Sequence, residues 1–341
     1  MQGYLKGFQY IIMICLILSG GCITFTHTHL PLPEQPSTLR HTPCYCHLSG
    51  IPEPTPIESE PETKPEPKPG PPRGNKYAVL ISAGIARDTE LAIEYWNDLV
   101  LQYNMLIENG FPEDQICVLY DKGQDYNPIA GHSITDLPVS IANIESVFKA
   151  LGGIGTNTAC VKRALTDEDL LYVWWMGHGS LNYDELGTCI LYMPISGSKE
   201  VVVDTQLHNF IDYVSRYSKR IIAIMTCHSG GILDDINIVG SKTVTLTSSS
   251  CEESSSSYDP SLTCDRLNHA EFSYNLTCAL RQYACDSLIL PPVDGNVDGY
   301  SDGYVSLLET YLYVLSPLNR RSTPQIGDPD SISSSAYLNG P

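Results

Sequence analysis

Leu170-Leu171-Tyr172-Val173-Trp174-Trp175-Met176 runs without a break into Gly177-His178-Gly179-Ser180. A continuous apolar run of this length, ended by glycine, reads as a strand buried on both faces, because a half-exposed strand would alternate apolar and polar residues. The same pattern recurs at residues 220–226 (RIIAIMT), followed directly by Cys227-His228-Ser229-Gly230-Gly231. It appears again at residues 77–82 (YAVLIS), 115–120 (QICVLY) and 243–247 (TVTLT).

Between these runs the apolar spacing switches to that of helices. Ala92, Trp96, Leu99, Tyr103 and Leu106 mark one, stopped by Gly110 and Pro112. Ile141, Ile144, Val147, Phe148 and Leu151 mark a second, closed by Gly152-Gly153, and Leu207, Phe210, Ile211, Val214 and Tyr217 mark a third. Buried strands alternating with amphipathic helices predict an α/β sandwich, a mainly parallel central sheet covered by helices on both faces. Chemistry in such sheets sits in the loops beyond the carboxyl ends of the strands.

That rule singles out His178 and Cys227, each set directly after a buried strand. A thiol needs only a nearby imidazole to help form thiolate and to protonate a leaving amine, so the pair fits nucleophilic acyl transfer. Gly177 and Gly179 allow a sharp turn and a close backbone approach. The N–H groups of Gly179 and Cys227 are the candidate oxyanion hole.

The Gly177-His178-Gly179-Ser180 and Thr226-Cys227-His228-Ser229-Gly230 segments resemble the His-Gly and Cys motifs of legumain-type cysteine peptidases and their caspase relatives in clan CD. Similarity extends to Tyr95-Trp96-Asn97-Asp98-Leu99, to residues 109–116 (NGFPEDQI) and to residues 247–255 (TSSSCEESS). The resemblance implies a caspase-like α/β/α sandwich, a His178–Cys227 dyad, no cofactor for catalysis, and cleavage or transamidation of a polypeptide substrate. It also implies that Ser248, Ser249 and Ser250 flank the substrate backbone. Specificity is a different matter: the family places an acidic residue where Met225 stands, and an Arg-His pair where Glu94 and Tyr95 stand. Asparaginyl preference is therefore not carried over. His228 reads as a bystander.

Outside the central region, residues 1–22 read as a signal segment with a short apolar run and a Leu18-Ser19-Gly20-Gly21-Cys22 box in which Cys22 is the lipidation candidate. Residues 23–75 read as a Pro/Glu-rich linker, too poor in apolar residues to fold, so the peptidase domain is expected over 76–290. Residues 291–316 are expected to hold an EF-hand-like loop and helix, and 317–341 a tail. With Asp298 opening the loop, Asp302, the Tyr304 carbonyl, Ser306 and Glu309 fall at the spacing that calcium ligands need. Structural calcium is the expected cofactor.

The chain carries 20 Lys+Arg against 39 Asp+Glu, a formal charge of −19, which argues against nucleic acid as a partner and leaves membrane contact to the N-terminal anchor. Export to the cell surface fits the signal segment and the 12 cysteines, with Cys251, Cys264, Cys278 and Cys285 the expected centre of disulfide pairing. The alternatives to an exported endopeptidase are a transamidase of the same fold and a non-catalytic surface-binding module.

Overall fold

The computed structural model describes residues 74–84, 90–127, 132–239, 242–284, 287–288, 292–297, 299, 301–316 and 321–338. Cys22, the signal segment and nearly all of the linker lie outside them. Strand β1 (Lys76–Ser82) leads to helix α1 (Glu90–Glu108), β2 (Ile116–Tyr120), α2 (Ile141–Leu151) and β3 (Leu170–Met176). Three short strands, β4 (Ser180–Tyr183), β5 (Cys189–Pro194) and β6 (Val201–Val203), precede α3 (Asp204–Asp212) and β7 (Lys219–Met225). Then come α4 (Leu233–Val239), β8 (Thr243–Thr247), the paired β9 (Ser257–Tyr258) and β10 (His269–Ala270), and α5 (Glu271–Arg281). The chain closes with β11 (Tyr283–Ala284), β12 (Ser287–Leu288), α6 (Leu307–Val314) and β13 (Gln325–Gly327).

The main sheet has the order β13-β8-β7-β3-β1-β2, and its pairs from β8 to β2 are all parallel. This is the mainly parallel α/β sandwich expected from the sequence, and the alternation of side chains along each strand shows why the runs are unbrokenly apolar. Leu171, Val173 and Trp175 of β3 pack on one face with Phe148 of α2 and Phe210 of α3. Tyr172, Trp174 and Met176 pack on the other with Trp96 and Leu99 of α1, Phe272 of α5 and Leu307 of α6. Two covered faces leave no polar position on the strand.

Two boundaries differ from the sequence reading. Helix α3 stops at Asp212, although Val214 and Tyr217 continue the apolar spacing and are buried. The buried Arg220 supplies a reason: its guanidinium donates to the carbonyls of Ile211 and Val214 at 3.4 and 3.5 Å and lies 4.5 Å from the Tyr217 ring. A cation that satisfies the final carbonyls lets the helix end there. Second, residues 317–341 are more than a tail, since β13 pairs antiparallel with β8 and forms an edge of the sheet.

Helices α1 and α5 are joined to each other, and α1 to β3, by buried polar contacts. Gln102 donates to Thr277 at 2.7 Å and accepts from the Tyr172 hydroxyl at 2.9 Å. His269 sits between Asp98, 2.6 Å from Nδ1, and Asp265, 2.9 Å from Nε2, while the Ala270 N–H donates to the second Asp98 oxygen at 2.9 Å. Burial opposes charge on this imidazole, but the hydrogen bonds to Asp265 and Asp98 outweigh it and raise its pKa to about 9.

A histidine held above its ordinary value of 6.5 contributes stability that is fully present below that pH and is lost as pH rises through about 9. The melting temperature should therefore fall between pH 6.5 and 9.5. His269→Gln, which leaves the buried Asp98 carboxylate without its cation, should cost about 3–5 kcal/mol at pH 6 and flatten this fall, as thermal unfolding across pH would show.

Candidate active site

Residue-by-residue pairing of β3 with β7 sets Met176 opposite Met225. His178 and Cys227 each follow their paired residue by two positions, so both leave the sheet at the same level on adjacent strands. The Gly177 N–H donates to the Met225 carbonyl at 3.1 Å and the Ala83 N–H to the Met176 carbonyl at 2.7 Å, extending the ladder into the turns. Gly179 is required at its place: a Cβ there would lie 2.0 Å from the carbonyl oxygen of Cys227. The two turns are in direct backbone contact.

His178 is an exposed residue whose ring faces Tyr95. The Tyr95 hydroxyl stands 3.3 Å from Nδ1 and 3.2 Å from Nε2, with the rings edge-on. Helix α1 delivers Tyr95 against the bare backbone of Gly84, where a Cβ would fall 2.2 Å from the tyrosine ring. Burial, reinforced by the charges of Glu94 and Cys227, pushes the Tyr95 phenol well above its ordinary pKa, so it stays protonated beside the imidazole.

Cys227 is half-buried and outside any disulfide, with its sulfur 3.6 Å from the Ser255 hydroxyl. The next residue, His228, adopts a left-handed backbone (φ 61°), donates its N–H to Glu253 O at 2.8 Å and places Nδ1 2.7 Å from the Cys251 carbonyl. Its ring is engaged in holding the turn.

The loop after β8 braces the same turn through two of the serines expected to flank a substrate. Ser248 and Ser249 are fully buried, and both hydroxyls donate to the Thr226 carbonyl, at 2.9 and 3.2 Å. Ser249 and Ser229 exchange backbone N–H to hydroxyl bonds at 3.0 and 3.2 Å. Their hydroxyls are engaged within the turn, away from solvent; Ser250 is half-exposed, and Ser255 is the serine beside the thiol. A disulfide between Cys189 of β5 and Cys251 fastens the loop to the small sheet, and a second joins Cys117 to Cys160. Pairing thus does not centre on the C-terminal cysteines alone, although Cys264 is also disulfide-bonded.

The proposed calcium loop is organised by its own donors. Glu309 accepts from the Gly295 N–H at 2.7 Å with one oxygen and from the Ser306 N–H and hydroxyl at 2.8 and 2.9 Å with the other, in a capping box that opens α6. Asp294, rather than a later aspartate, gathers the loop through the N–H groups of Asp302 and Gly303 at 3.0 and 2.9 Å. Asp302 accepts from the Tyr304 N–H at 2.8 Å, and Asp298 lies outside the described residues. Asn275 is buried, with its side-chain amide donating to the Tyr258 hydroxyl at 2.7 Å. A cavity of about 190 Å³ bordered by Asp121, Lys122, Val139 and Ser196 lies away from His178 and Cys227.

A thiol and an imidazole on neighbouring strand ends of a helix-covered parallel sheet place the molecule in the class of cysteine peptidases built on the caspase-like fold. The chain belongs to the peptidase C13 family, that of legumain, whose model matches residues 77–274. No curated protein matches it. A solved structure of protein GSU0716 from Geobacter sulfurreducens is 12% identical with a TM-score of 0.44, over 76% of this chain and 96% of that one.

The sequence reading placed Tyr95 in the family-like helix segment and at the family's Arg-His position, but gave its hydroxyl no role beside His178. Tyr95→Phe should lower kcat/KM by about 3–30-fold, chiefly through kcat, while the melting temperature stays close to that of wild type. A purely packing role would lower the melting temperature and leave kcat in place.

Proposed function

We propose that the protein is an exported cysteine endopeptidase in which Cys227 is the nucleophile and His178 the general acid and base. The reading rests above all on the level at which β3 and β7 release the two residues, with Gly179 pressed against the Cys227 backbone. The Cys227 thiolate attacks the scissile carbonyl carbon, and the oxyanion forms against the N–H groups of Gly179 and Cys227. The C–N bond breaks as His178 gives its proton to the departing amine, leaving a thioester. His178 then takes a proton from water, which attacks the thioester and releases the carboxylic acid and the thiol.

Disulfides Cys117–Cys160 and Cys189–Cys251 support export, since such bonds persist in oxidising compartments. Anchoring at the surface through a lipidated Cys22 belongs to the same proposal. Structural calcium, held by the loop before α6, is its remaining part, and the engagement of Glu309 by backbone donors means that ligation there would require its carboxylate to turn.

Cys227→Ala and His178→Ala should each lower peptide cleavage by at least about 10³-fold while the melting temperature stays within about 3 °C of wild type. Mass-spectrometric mapping after brief treatment with iodoacetamide should find Cys227 labelled first, and more slowly in His178→Ala. Ordinary thiol reactivity at Cys227 and undiminished cleavage in the alanine variants would overturn the assignment. Amide ligation to an added amine, in place of hydrolysis, would mark a transamidase using the same residues.

A further inference from the structure

Glu94 precedes Tyr95 on α1 and is 8% exposed. Its carboxylate is hydrogen-bonded to Ser257, yet Oε2 is buried without a partner. Two residues before Ser257, Ser255 stands 3.6 Å from the Cys227 sulfur. This short segment therefore touches the nucleophile at one end and the buried carboxylate at the other. Two residues of extended chain span about 7 Å, roughly the reach of a lysine or arginine side chain from its Cα.

The charge around Glu94 is unbalanced. The positive charge acting on it is that of His269, already shared between Asp98 and Asp265. Arg321 reaches the same segment, but its Nη1 goes to the Ser257 carbonyl at 3.4 Å. Burial, opposed by Ser257 and assisted by Asp98, raises the Glu94 pKa to about 7. A buried carboxylate with an unfilled oxygen is costly unless a cation or donor completes it. Met225, on the strand that delivers Cys227, joins Tyr95 in one buried apolar cluster and offers a surface for an aliphatic stem.

We propose that Glu94 is the acidic floor of the pocket for the residue on the acyl side of the scissile bond, and that the enzyme cleaves after lysine or arginine. This specificity rests on the peptidase reading above. A cationic side chain would extend past Ser255 and pair with the free oxygen of Glu94, placing its own carbonyl at Cys227.

The test uses the full chain and peptides that differ only at the residue before the cleaved bond: Arg, Lys, Asn, Asp or Leu. Wild type should favour Arg and Lys over Leu and Asn by roughly 30-fold or more in kcat/KM. Glu94→Gln should reduce that ratio to about 3-fold or less, chiefly through KM, with near-ultraviolet circular dichroism as the check on its fold. Cleavage with no preference for basic residues, or a natively folded Glu94→Gln that keeps the preference, would overturn the inference and leave the peptidase reading standing. Failure to cleave any peptide, with Cys227 alkylated no faster than an ordinary thiol, would remove both. Should Glu94→Gln not fold, the wild-type panel alone decides.

Discussion

Everything at the candidate site depends on the backbone contact between Gly179 and Cys227. A carbonyl that would lie 2.0 Å from any Cβ at position 179 fixes the separation of two turns that come from different strands. Sheet register sets their level, through the Met176–Met225 pair, and the glycine sets their spacing. Neither would suffice alone, since parallel strands lie nearly 5 Å apart and a bulkier residue would splay the loops that leave them. Buried apolar strands thus act as a positioning device as well as a core.

The second constraint is that the Cys227 turn must be held from below. Ser229, Ser248 and Ser249 do this in a space without solvent, each donor finding the Thr226 carbonyl or another serine. Small hydroxyl side chains are suited to such a knot, because each can both donate and accept within a short reach. Above the knot, Cys251 is tied to Cys189 and its carbonyl engages His228, so the left-handed residue that follows the nucleophile is fixed on two sides. The residues that surround the thiol are therefore of two kinds, with the buried serines giving rigidity and Ser255 reaching its sulfur.

Strand positions were legible in the sequence because two covered faces make a strand uniformly apolar, and the runs at Leu170–Met176 and Thr243–Thr247 coincide with the observed elements. His178 and Cys227 could be located for the same reason, being the polar residues that interrupt such runs. What escaped had no local signature. Tyr95 stands out in sequence only as a replacement at the family's specificity pair, and it is the fold that carries its hydroxyl to His178. The serines after β8 carry no sequence signal of burial, whereas the adjacent turn encloses Ser248 and Ser249 completely. Helix α3 ended early because of Arg220, which lies beyond it in the chain, and β13 is too short and polar to announce itself.

The acidic group behind the site raises a question of energetic balance. Asp98 and Asp265 share one imidazole, and Glu94 shares its field without a hydrogen bond to it. If these residues served only to fasten α1 to α5, an apolar contact of similar volume would do so at less cost in desolvation. Gln102, Thr277 and Tyr172 already make that connection with neutral groups. The cluster lies in the half of α1 that also presents Tyr95, and the carboxylate bonded to the segment that touches the nucleophile is the one left incomplete. Saturating the far carboxylates with His269 while leaving one Glu94 oxygen without a donor places the incomplete group against the segment that also touches the thiol, where a cationic side chain would complete it under the specificity proposed above.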